Sequence, residues 1–232
     1  MNNLSSLLCG VFVLVSAMTA PGQTAIGSLP HTINKSGYYV VNKDLTYNGN
    51  SKAIIVKAAD VTIDLQGFTL SCNDSVSPTI AIYVDNVSDV TIKSGIISGF
   101  RTGVDIDAPS AQNLQNVAEI IQDLQITAPE YGIIVVNPAI CLIQRNVIVG
   151  GATGAGIYMQ QSIGGNRVSY NQVSGAQYGF QSEGYCYLLE NSASNCSVDG
   201  FFSTSTDKYR FCTTTQCTTS FSGGVDAGDA ND

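Results

Sequence analysis

The chain has 232 residues and a formal net charge of −8, with 10 Lys and Arg against 18 Asp and Glu. An acidic chain without a basic cluster argues against a nucleic-acid partner and against binding to anionic membrane surfaces. Only 12% of the residues are charged, 23 are glycine and none is tryptophan. This charge content is low for a helical protein and typical of stacked strands and turns.

Residues 1–20 are predicted to be an export signal. Residues 4–20 form an apolar run that ends in small residues, and Val15-Ser16-Ala17 offers a cleavage site. No Lys or Arg precedes the run, so an uncleaved anchor or a buried N-terminal helix stays open as the alternative. Cleavage would leave a secreted, periplasmic or cell-surface protein without membrane attachment.

A short phrase returns along the chain at intervals of 21 to 29 residues. It begins with glycine or alanine and continues with apolar and variable residues in alternation. The seven copies begin at Ala53, Ala81, Gly103, Gly132, Gly156, Gly179 and Gly200. A repeat of this period is typical of a solenoid.

Alternation within the phrase predicts which side chains face inward. Successive side chains of a strand point to opposite faces, so the second and fourth positions should share the interior. The second position is Ile54, Ile82, Val104, Ile133, Ile157, Phe180 and Phe201, and the fourth is Val56, Val84, Ile106, Val135, Met159, Ser182 and Ser203. The third and fifth positions mix polar and apolar residues and should face outward.

A second apolar strand follows the phrase in each repeat, and a turn residue follows that strand. The turn residues are Asp123, Asn146, Asn171, Asn191 and Cys212. Asparagine tolerates bent backbone, and amides stacked one per repeat would hydrogen-bond to each other. Because several short strands fill each period and no helical stripe separates them, the sequence predicts an all-β fold, a parallel β-helix of about seven coils.

One domain is expected, over residues 29–221. Residues 29–52 do not fit the repeat and are predicted to be an N-terminal cap, because an open end of a solenoid exposes strand edges. Residues 53–221 form the coils. Residues 222–232 are rich in glycine and acidic, which predicts a disordered tail.

Three phrases carry a resemblance to a known fold group. They are INKSGYYVV from Ile33, VTIDLQGFTL from Val61 and VTIKSGIISGF from Val90. They resemble the cap and opening coils of secreted right-handed parallel β-helix repeat proteins, which belong to the pectate-lyase-like group. The resemblance implies the fold, whereas that fold hosts lyases, hydrolases, esterases, epimerases, adhesins and binding proteins.

The catalytic motifs of related carbohydrate-active enzymes are absent from the sequence. The Asn-Thr-Asp, Asp-Asp, Gly-His-Gly and Arg-Ile-Lys set of polygalacturonase-type hydrolases is missing, and so is the Asp-Pro-His-Asp box of alginate epimerases. The single histidine, His31, lies in the cap and is expected at the surface. His-rich and Met-rich copper-binding signatures are missing too, which argues against the copper-loading β-helix proteins. No catalytic residue is therefore predicted.

Aromatic residues share one outward column, at the third position of the phrase. Tyr83, Tyr158 and Phe202 occupy it, and aromatic rings on a flat sheet suit stacking against sugar rings. Packing under a loop is the alternative.

Carboxylates gather near the same column. Asp105 and Asp107 share a face, and Asp85 should lie one coil before Asp107. Three carboxylates could bind Ca²⁺, which takes oxygen ligands, and Arg101 or Arg145 would then be the candidate base of a lyase. A solvated acidic patch without function is the alternative.

Six cysteines follow the export signal: Cys72, Cys141, Cys186, Cys196, Cys212 and Cys217. Cys196 and Cys217 are 21 residues apart, which is the local period, so they should lie on adjacent coils at the same level. The spacing of stacked strands is within the range that a disulfide accepts. The pair is predicted to be linked by a disulfide or to be stacked as buried free thiols.

Two functions are weighed. The first is a secreted or surface protein that binds a glycan or a protein partner without catalysis. Its binding residues would be Tyr83, Asp85, Asp105, Asp107, Tyr158 and Glu183. The second is a carbohydrate-active enzyme, a polysaccharide lyase with Ca²⁺ on Asp85, Asp105 and Asp107. The first function needs no cofactor, and it is favoured because the catalytic set is missing.

Overall fold

A computed structural model describes residues 22–73, 78–109, 118–138, 140–150 and 153–228. The predicted export signal, 1–20, lies outside the described residues. In these ranges the chain forms strands and turns, and no helix here has the length and apolar character to cross a membrane.

The first face of the molecule is a sheet of nine parallel strands. They are β2 (His31–Ile33), β5 (Lys52–Val56), β8 (Ile80–Asp85), β10 (Thr102–Asp107), β12 (Tyr131–Val136), β15 (Ala155–Gln160), β18 (Tyr178–Ser182), β21 (Asp199–Phe202) and β24 (Thr219–Ser222). Each strand pairs with the strand one coil later, and equivalent residues of the repeated phrase are partners. The seven predicted phrases therefore form the central strands of this face.

The second face holds the second strand of each repeat. It consists of β1 (Gln23–Ile26), β3 (Gly37–Val41), β6 (Val61–Asp64), β9 (Val90–Ser98), β11 (Glu119–Ala128), β13 (Cys141–Gln144), β16 (Asn166–Ser169), β19 (Cys186–Leu189), β22 (Lys208–Arg210) and β25 (Val225–Asp226). All of the pairings between these neighbours are parallel. The predicted second strands are confirmed.

A third face closes each coil. Its strands are β4 (Leu45–Tyr47), β7 (Thr69–Cys72), β14 (Val147–Gly150), β17 (Gln172–Ser174), β20 (Ser192–Ser194) and β23 (Thr213–Thr215), with the later halves of β9 and β11 between β7 and β14. Because three parallel faces stack in register, the fold is a parallel β-helix, as the sequence predicted.

The interior columns predicted from alternation are confirmed. Every residue at the second and fourth positions of the seven phrases is buried. The first position also points inward, because a Cβ on Gly156 would lie 2.2 Å from Val173 Cγ1 and one on Gly132 would lie 2.4 Å from Ile148 Cγ2. Two consecutive inward positions interrupt the alternation, as a β-bulge does. The residue before the phrase consequently turns toward the outer surface at Lys52, Tyr131 and Tyr178, which are half-buried, whereas Thr102, Ala155 and Asp199 at the same position are buried.

The corner between the second and third faces is built from two residues per coil. The first has a left-handed φ between 51° and 59°: Asp123, Arg145, Tyr170, Glu190 and Phe211. The second lies inside the coil: Leu124, Asn146, Asn171, Asn191 and Cys212. The predicted column of turn residues is wrong by one residue at Asp123, because Leu124 takes the inner position and pairs in level with Asn146.

The inner asparagines form a hydrogen-bonded ladder, which confirms the predicted stacking of amides. Asn146 Nδ2 donates to Asn171 Oδ1 at 3.0 Å, and Asn171 Nδ2 donates to Asn191 Oδ1 at 3.0 Å. The same nitrogens also donate to backbone carbonyl oxygens of the preceding coil, Ile121 O at 3.1 Å and Ile143 O at 2.9 Å. The ladder thus satisfies amides and backbone together in a buried corner.

Both ends of the described chain differ from simple expectations. In the segment predicted as a cap, β2, β3 and β4 pair in register with β5, β6 and β7, so it folds as a coil of the same plan. The tail was predicted to be disordered from Ser222. That is wrong for its first residues, because β25 pairs with Lys208 and Tyr209 of β22. Residues 229–232 lie outside the described ranges.

Candidate functional site

The six predicted binding residues all lie on the outer surface of the first face, in two groups. Tyr83 pairs with Asp105, and Asp85 pairs with Asp107, so β8 and β10 bring these four residues together. Tyr158 and Glu183 form the second group, in which the Tyr158 hydroxyl donates to Glu183 Oε1.

Strand β12 separates the two groups. Its outward residues at the equivalent positions are Ile134 and Val136, which pair with Asp105 and Asp107. The face is therefore not one continuous polar site.

Two lysines balance the acidic group, and sequence reasoning missed both of them. Lys52 Nζ lies 3.1 Å from the centroid of the Tyr83 ring, and Lys57 Nζ lies 3.7 Å from Asp85 Oδ2. Lys52 precedes the first phrase, at the position that the bulge turns outward. Lys57 is the fifth residue of that phrase, one coil before Asp85.

Asp105 is the carboxyl group most changed by this environment. Partial burial raises its pKa to about 6; Lys52 opposes the rise and Asp107 adds to it. The pKa of the Tyr83 hydroxyl is also raised, by burial first and then by Asp107, Asp85 and Asp105. The group therefore holds closely spaced negative charge on a half-buried surface.

The three aspartates do not form a metal centre in this conformation. Among the described residues, no group of three or more His, Cys, Asp or Glu side chains is placed to hold a metal ion. Asp85 is already paired with Lys57. Binding of Ca²⁺ by Asp85, Asp105 and Asp107 stays a prediction.

Aromatic rings run along the first face in pairs from successive coils. Tyr131 stacks on Tyr158 with centroids 6.0 Å apart, and Tyr178 meets Phe202 edge to face with centroids 5.6 Å apart. Phe202 is 37% exposed, a large value for phenylalanine, and the three tyrosines are half-buried. The two pairs lie on four successive coils of this face, and we call them together the aromatic strip.

Sequence reasoning missed Tyr131 and Tyr178, each of which directly precedes the first glycine of a phrase. Strict alternation assigns that position to the interior. The inward glycine reverses the assignment, because its missing Cβ lets the backbone approach the third face. Only the structure shows that a Cβ at these glycines would clash with the third face, so the sequence pattern alone does not predict the outward tyrosines.

Two thiols come together at the C-terminal end of the third face. The Cys196 and Cys217 thiols lie next to each other, each directed to a carbonyl oxygen two residues earlier (Ser194 O and Thr215 O), and both cysteines are free in this structure. Burial raises the pKa of the Cys196 thiol to about 12, and the Cys217 thiol adds to the rise. The predicted adjacency is confirmed, whereas a disulfide between them stays a prediction.

Parallel strands that stack in register on three faces define this chain as a β-helix protein. The family model described as periplasmic copper-binding protein (NosD) matches residues 22–223, and the chain belongs to this family. The family is periplasmic and has a right-handed parallel β-helix, which confirms the predicted location and fold. The missing His-rich and Met-rich signatures argued against a copper-related family, and the match corrects that inference.

Other comparisons add little. The crystal structure of the enzymatically active domain of tailspike protein 2 from bacteriophage CBA120 is 12% identical, with a TM-score of 0.24. The similarity covers 84% of this chain and 38% of that chain. A likeness at this score carries no argument about function. No curated protein matches the chain.

The described residues do not offer a copper centre of the usual size. No three potential ligands among His, Cys, Asp and Glu converge in the parts of the chain that the structure describes. Cys196 and Cys217 provide two soft ligands in contact. Thiolates are soft ligands of the kind that select Cu(I).

Proposed function

We propose that this periplasmic β-helix protein binds a glycan chain along its first face and does not cleave it. The observation that carries the proposal is the aromatic strip. Its rings repeat from coil to coil, as the units of a polysaccharide do, and aromatic rings on a flat sheet stack on the apolar faces of sugars. The acidic group beside Tyr83 would accept hydrogen bonds from sugar hydroxyls.

The test is a glycan-array screen of the exported chain, with and without Ca²⁺. Retention of a neutral or mixed glycan without new unsaturated product is the expected result. Unsaturated product that appears only with Ca²⁺ would instead support the lyase, with the metal on the three aspartates. Absence of retention on every glycan would contradict glycan binding and leave a protein surface as the partner.

Two matched variants locate the site. Tyr158→Ala removes a ring of the aromatic strip that also bonds Glu183. Because a stacking interaction with an aromatic ring contributes about 1 kcal/mol or more, we expect at least a fivefold loss of glycan affinity. Tyr170→Ala removes a ring that bonds Glu190 at a distant corner, and it should leave affinity unchanged. Equal effects of the two variants would place the glycan elsewhere.

Copper is a second candidate ligand, supported by the family description and by the thiol pair. In its reduced form the Cys196–Cys217 pair would bind Cu(I) through sulfur. Titration of the reduced protein with Cu(I) against a competing chelator should give a stoichiometry of about one, which Cys196→Ser abolishes and Cys72→Ser keeps. Equal binding by both variants would exclude the pair as the site.

A further inference from the structure

A second concave site lies away from the aromatic strip, on the outer side of the second face. It is an open pocket of about 340 Å³, formed where β16, β19 and β22 begin. Its floor is one column of the sheet, in which Arg167 pairs with Tyr187 and Tyr187 pairs with Lys208. The two cationic residues are therefore two strand spacings apart, about 10 Å, with a tyrosine between them.

Neither cation of this pocket forms an ion pair with a carboxylate of the described residues. The ion pairs of the described residues are Lys57–Asp85, Lys93–Asp64, Arg101–Glu130 and Arg145–Asp123. Neither Arg167 nor Lys208 takes part, although the chain has a net charge of −8. Two unpaired cations on one column create a local positive potential on an acidic protein.

Two carboxylates close to the pocket in sequence, Asp207 and Glu183, are engaged elsewhere. Asp207 precedes Lys208 but is fully buried, and its oxygens accept hydrogen bonds from Ser182 Oγ, Cys186 N and Thr204 at 2.7–2.9 Å. Glu183 lies on the first face and accepts from Tyr158 and from Gln161 N. The pocket is thus left to an external anion.

The pocket also offers groups that recognise a ring with hydroxyls. Tyr185 lies at its rim and is 58% exposed, and Tyr187 forms the floor between the cations. Asn166 borders the pocket through its backbone, whereas its side chain is 2% exposed and points into the coil, where Nδ2 donates to Pro138 O at 3.2 Å and to Ser162 Oγ.

We infer that this pocket binds an anionic sugar unit, a single carbohydrate ring that carries a carboxylate or a phosphate. Arg167 and Lys208 hold the anionic group, and Tyr185 and Tyr187 stack on the ring. The pocket volume suits one such ring. This site is separate from the aromatic strip and does not rest on the glycan proposal for the first face.

The experiment measures binding of four probes to the full exported chain by NMR titration. Galacturonate and glucose 6-phosphate are the anionic sugars, glucose is the neutral control and inorganic phosphate is the control without a ring. We expect the two anionic sugars to bind at least tenfold more tightly than glucose or phosphate, and their affinity to fall as salt rises.

Variants assign that binding to the pocket. The pair Arg167→Gln and Lys208→Gln should weaken binding of both anionic sugars at least tenfold, and Tyr185→Ala should weaken it severalfold. The matched control, Lys35→Gln with Lys43→Gln, removes the same charge from the first coil and should change nothing. Tyr158→Ala should also leave these affinities unchanged, so failure here is distinct from failure of the first-face proposal.

Several results would overturn the inference. Absence of binding by both anionic sugars would do so directly, and equal binding of glucose would show that the cations do not select the ligand. If phosphate binds as tightly as glucose 6-phosphate and Tyr185→Ala has no effect, the pocket is a plain anion site and the sugar assignment is wrong. If the Lys35→Gln and Lys43→Gln control loses as much affinity for the anionic sugars, the effect comes from the net charge of the protein and not from the pocket.

Discussion

At the scale of the residue, the fold depends on which side of a strand each side chain faces. Ile133 and Ile134 are neighbours on β12; the first is fully buried and the second lies on the outer surface. They therefore form a matched pair in which the same substitution meets the core or the solvent side.

The first prediction uses that pair. Ile133→Asp would bury a carboxylate without a partner, which costs several kcal/mol, so the folded state should be largely lost. Ile134→Asp should lower the melting temperature only slightly. Thermal unfolding followed by circular dichroism measures both variants. If Ile133→Asp does not accumulate, Ile133→Ala replaces it, and its free energy of unfolding should be lower than that of the wild type by about 3 kcal/mol. A larger effect at Ile134 would show that the register is displaced by one residue.

A buried carboxyl group gives the second prediction. Glu119 is fully buried beside Cys141 of the next coil, and neither of its carboxyl oxygens has a hydrogen-bond partner among the described residues. Burial raises its pKa to about 7, with Asp89 adding to the rise. The folded state therefore favours the neutral acid, and that stability is fully present below the ordinary pKa of 4.5 and lost as pH rises through about 7.

Unfolding by urea at pH 5 and pH 8 measures this loss. The wild type should be less stable at pH 8 by up to about 3 kcal/mol, and Glu119→Gln should remove most of that difference. Asp105 acts in the same direction, so the comparison between variant and wild type is the informative quantity. Glu190→Gln, at an exposed corner, is the control, and an unchanged pH dependence in Glu119→Gln would contradict the assignment.

At the scale of the element, the corner between the second and third faces is held by amides. Asn171 is the middle of the ladder: its Oδ1 accepts from Asn146 N at 3.0 Å, and its Nδ2 donates to Ile143 O and Asn191 Oδ1. Because all of these groups are buried, removing the amide leaves several of them unpaired.

The third prediction follows from that position. Asn171→Leu keeps the volume of the side chain but removes its hydrogen bonds, and it should destabilise the protein by about 3 kcal/mol or more. Leu124 occupies the equivalent inner position in an earlier coil, so the corner can accommodate the shape of a leucine side chain. Gln172→Leu, one residue later and exposed, is the control in the same thermal or urea unfolding experiment. Similar effects of the two leucines would show that the ladder adds little.

Elements repeated with regular alternation could be predicted from the sequence, and interrupted ones could not. The interior columns and second strands follow from periodicity, and so does the placement of Asp85 against Asp107. The outward position of Tyr131 could not be predicted, because it depends on a bulge at Gly132 that is set by the approach of Ile148. Asp123 was assigned to the column of inner asparagines for a related reason. The corner uses two residues per coil, and its inner residue is Leu124 in one coil and asparagine in the next three.

At the scale of the whole molecule, sites arise from residues that stacking brings together. The pocket on the second face draws Asn166, Arg167, Tyr185, Tyr187 and Lys208 from three coils, and no motif in the sequence connects them. A repeat predicts the level of each residue but not which variable positions combine into a concavity. The adjacency of Cys196 and Cys217 was predictable because it needs only the level.

The C-terminal end is where the stacked structure has least support. Ser182 and Ser203 replace apolar residues in the interior, and Ser203 Oγ has no hydrogen-bond partner among the described residues. Phe221 is only partly buried, although it stacks on Phe201 with centroids 5.0 Å apart. An end of this kind gains more from a covalent link than the middle of the molecule would.

The last prediction is that the Cys196–Cys217 pair oxidises to a disulfide in the periplasm and holds this end. Backbone hydrogen bonds fix the two residues at one level: Asn195 N donates to Thr215 O at 2.9 Å, and Thr218 N donates to Cys196 O at 3.2 Å. The compartment is oxidising, and a disulfide closing a loop of this size contributes about 3 kcal/mol. Reduction should therefore speed hydrogen exchange in β21 to β25 before it affects β8 to β12.

Mass spectrometry of a non-reduced digest of the exported protein decides whether the link exists. A cross-linked peptide containing Cys196 and Cys217 is expected, while Cys212, which is buried in the asparagine corner, should not appear in any cross-link. Two free thiols in protein exported by its own host would rule out the disulfide. A link from Cys196 to Cys141 would contradict the register itself, because Cys141 lies on the second face at the level of Glu119 and two coils earlier.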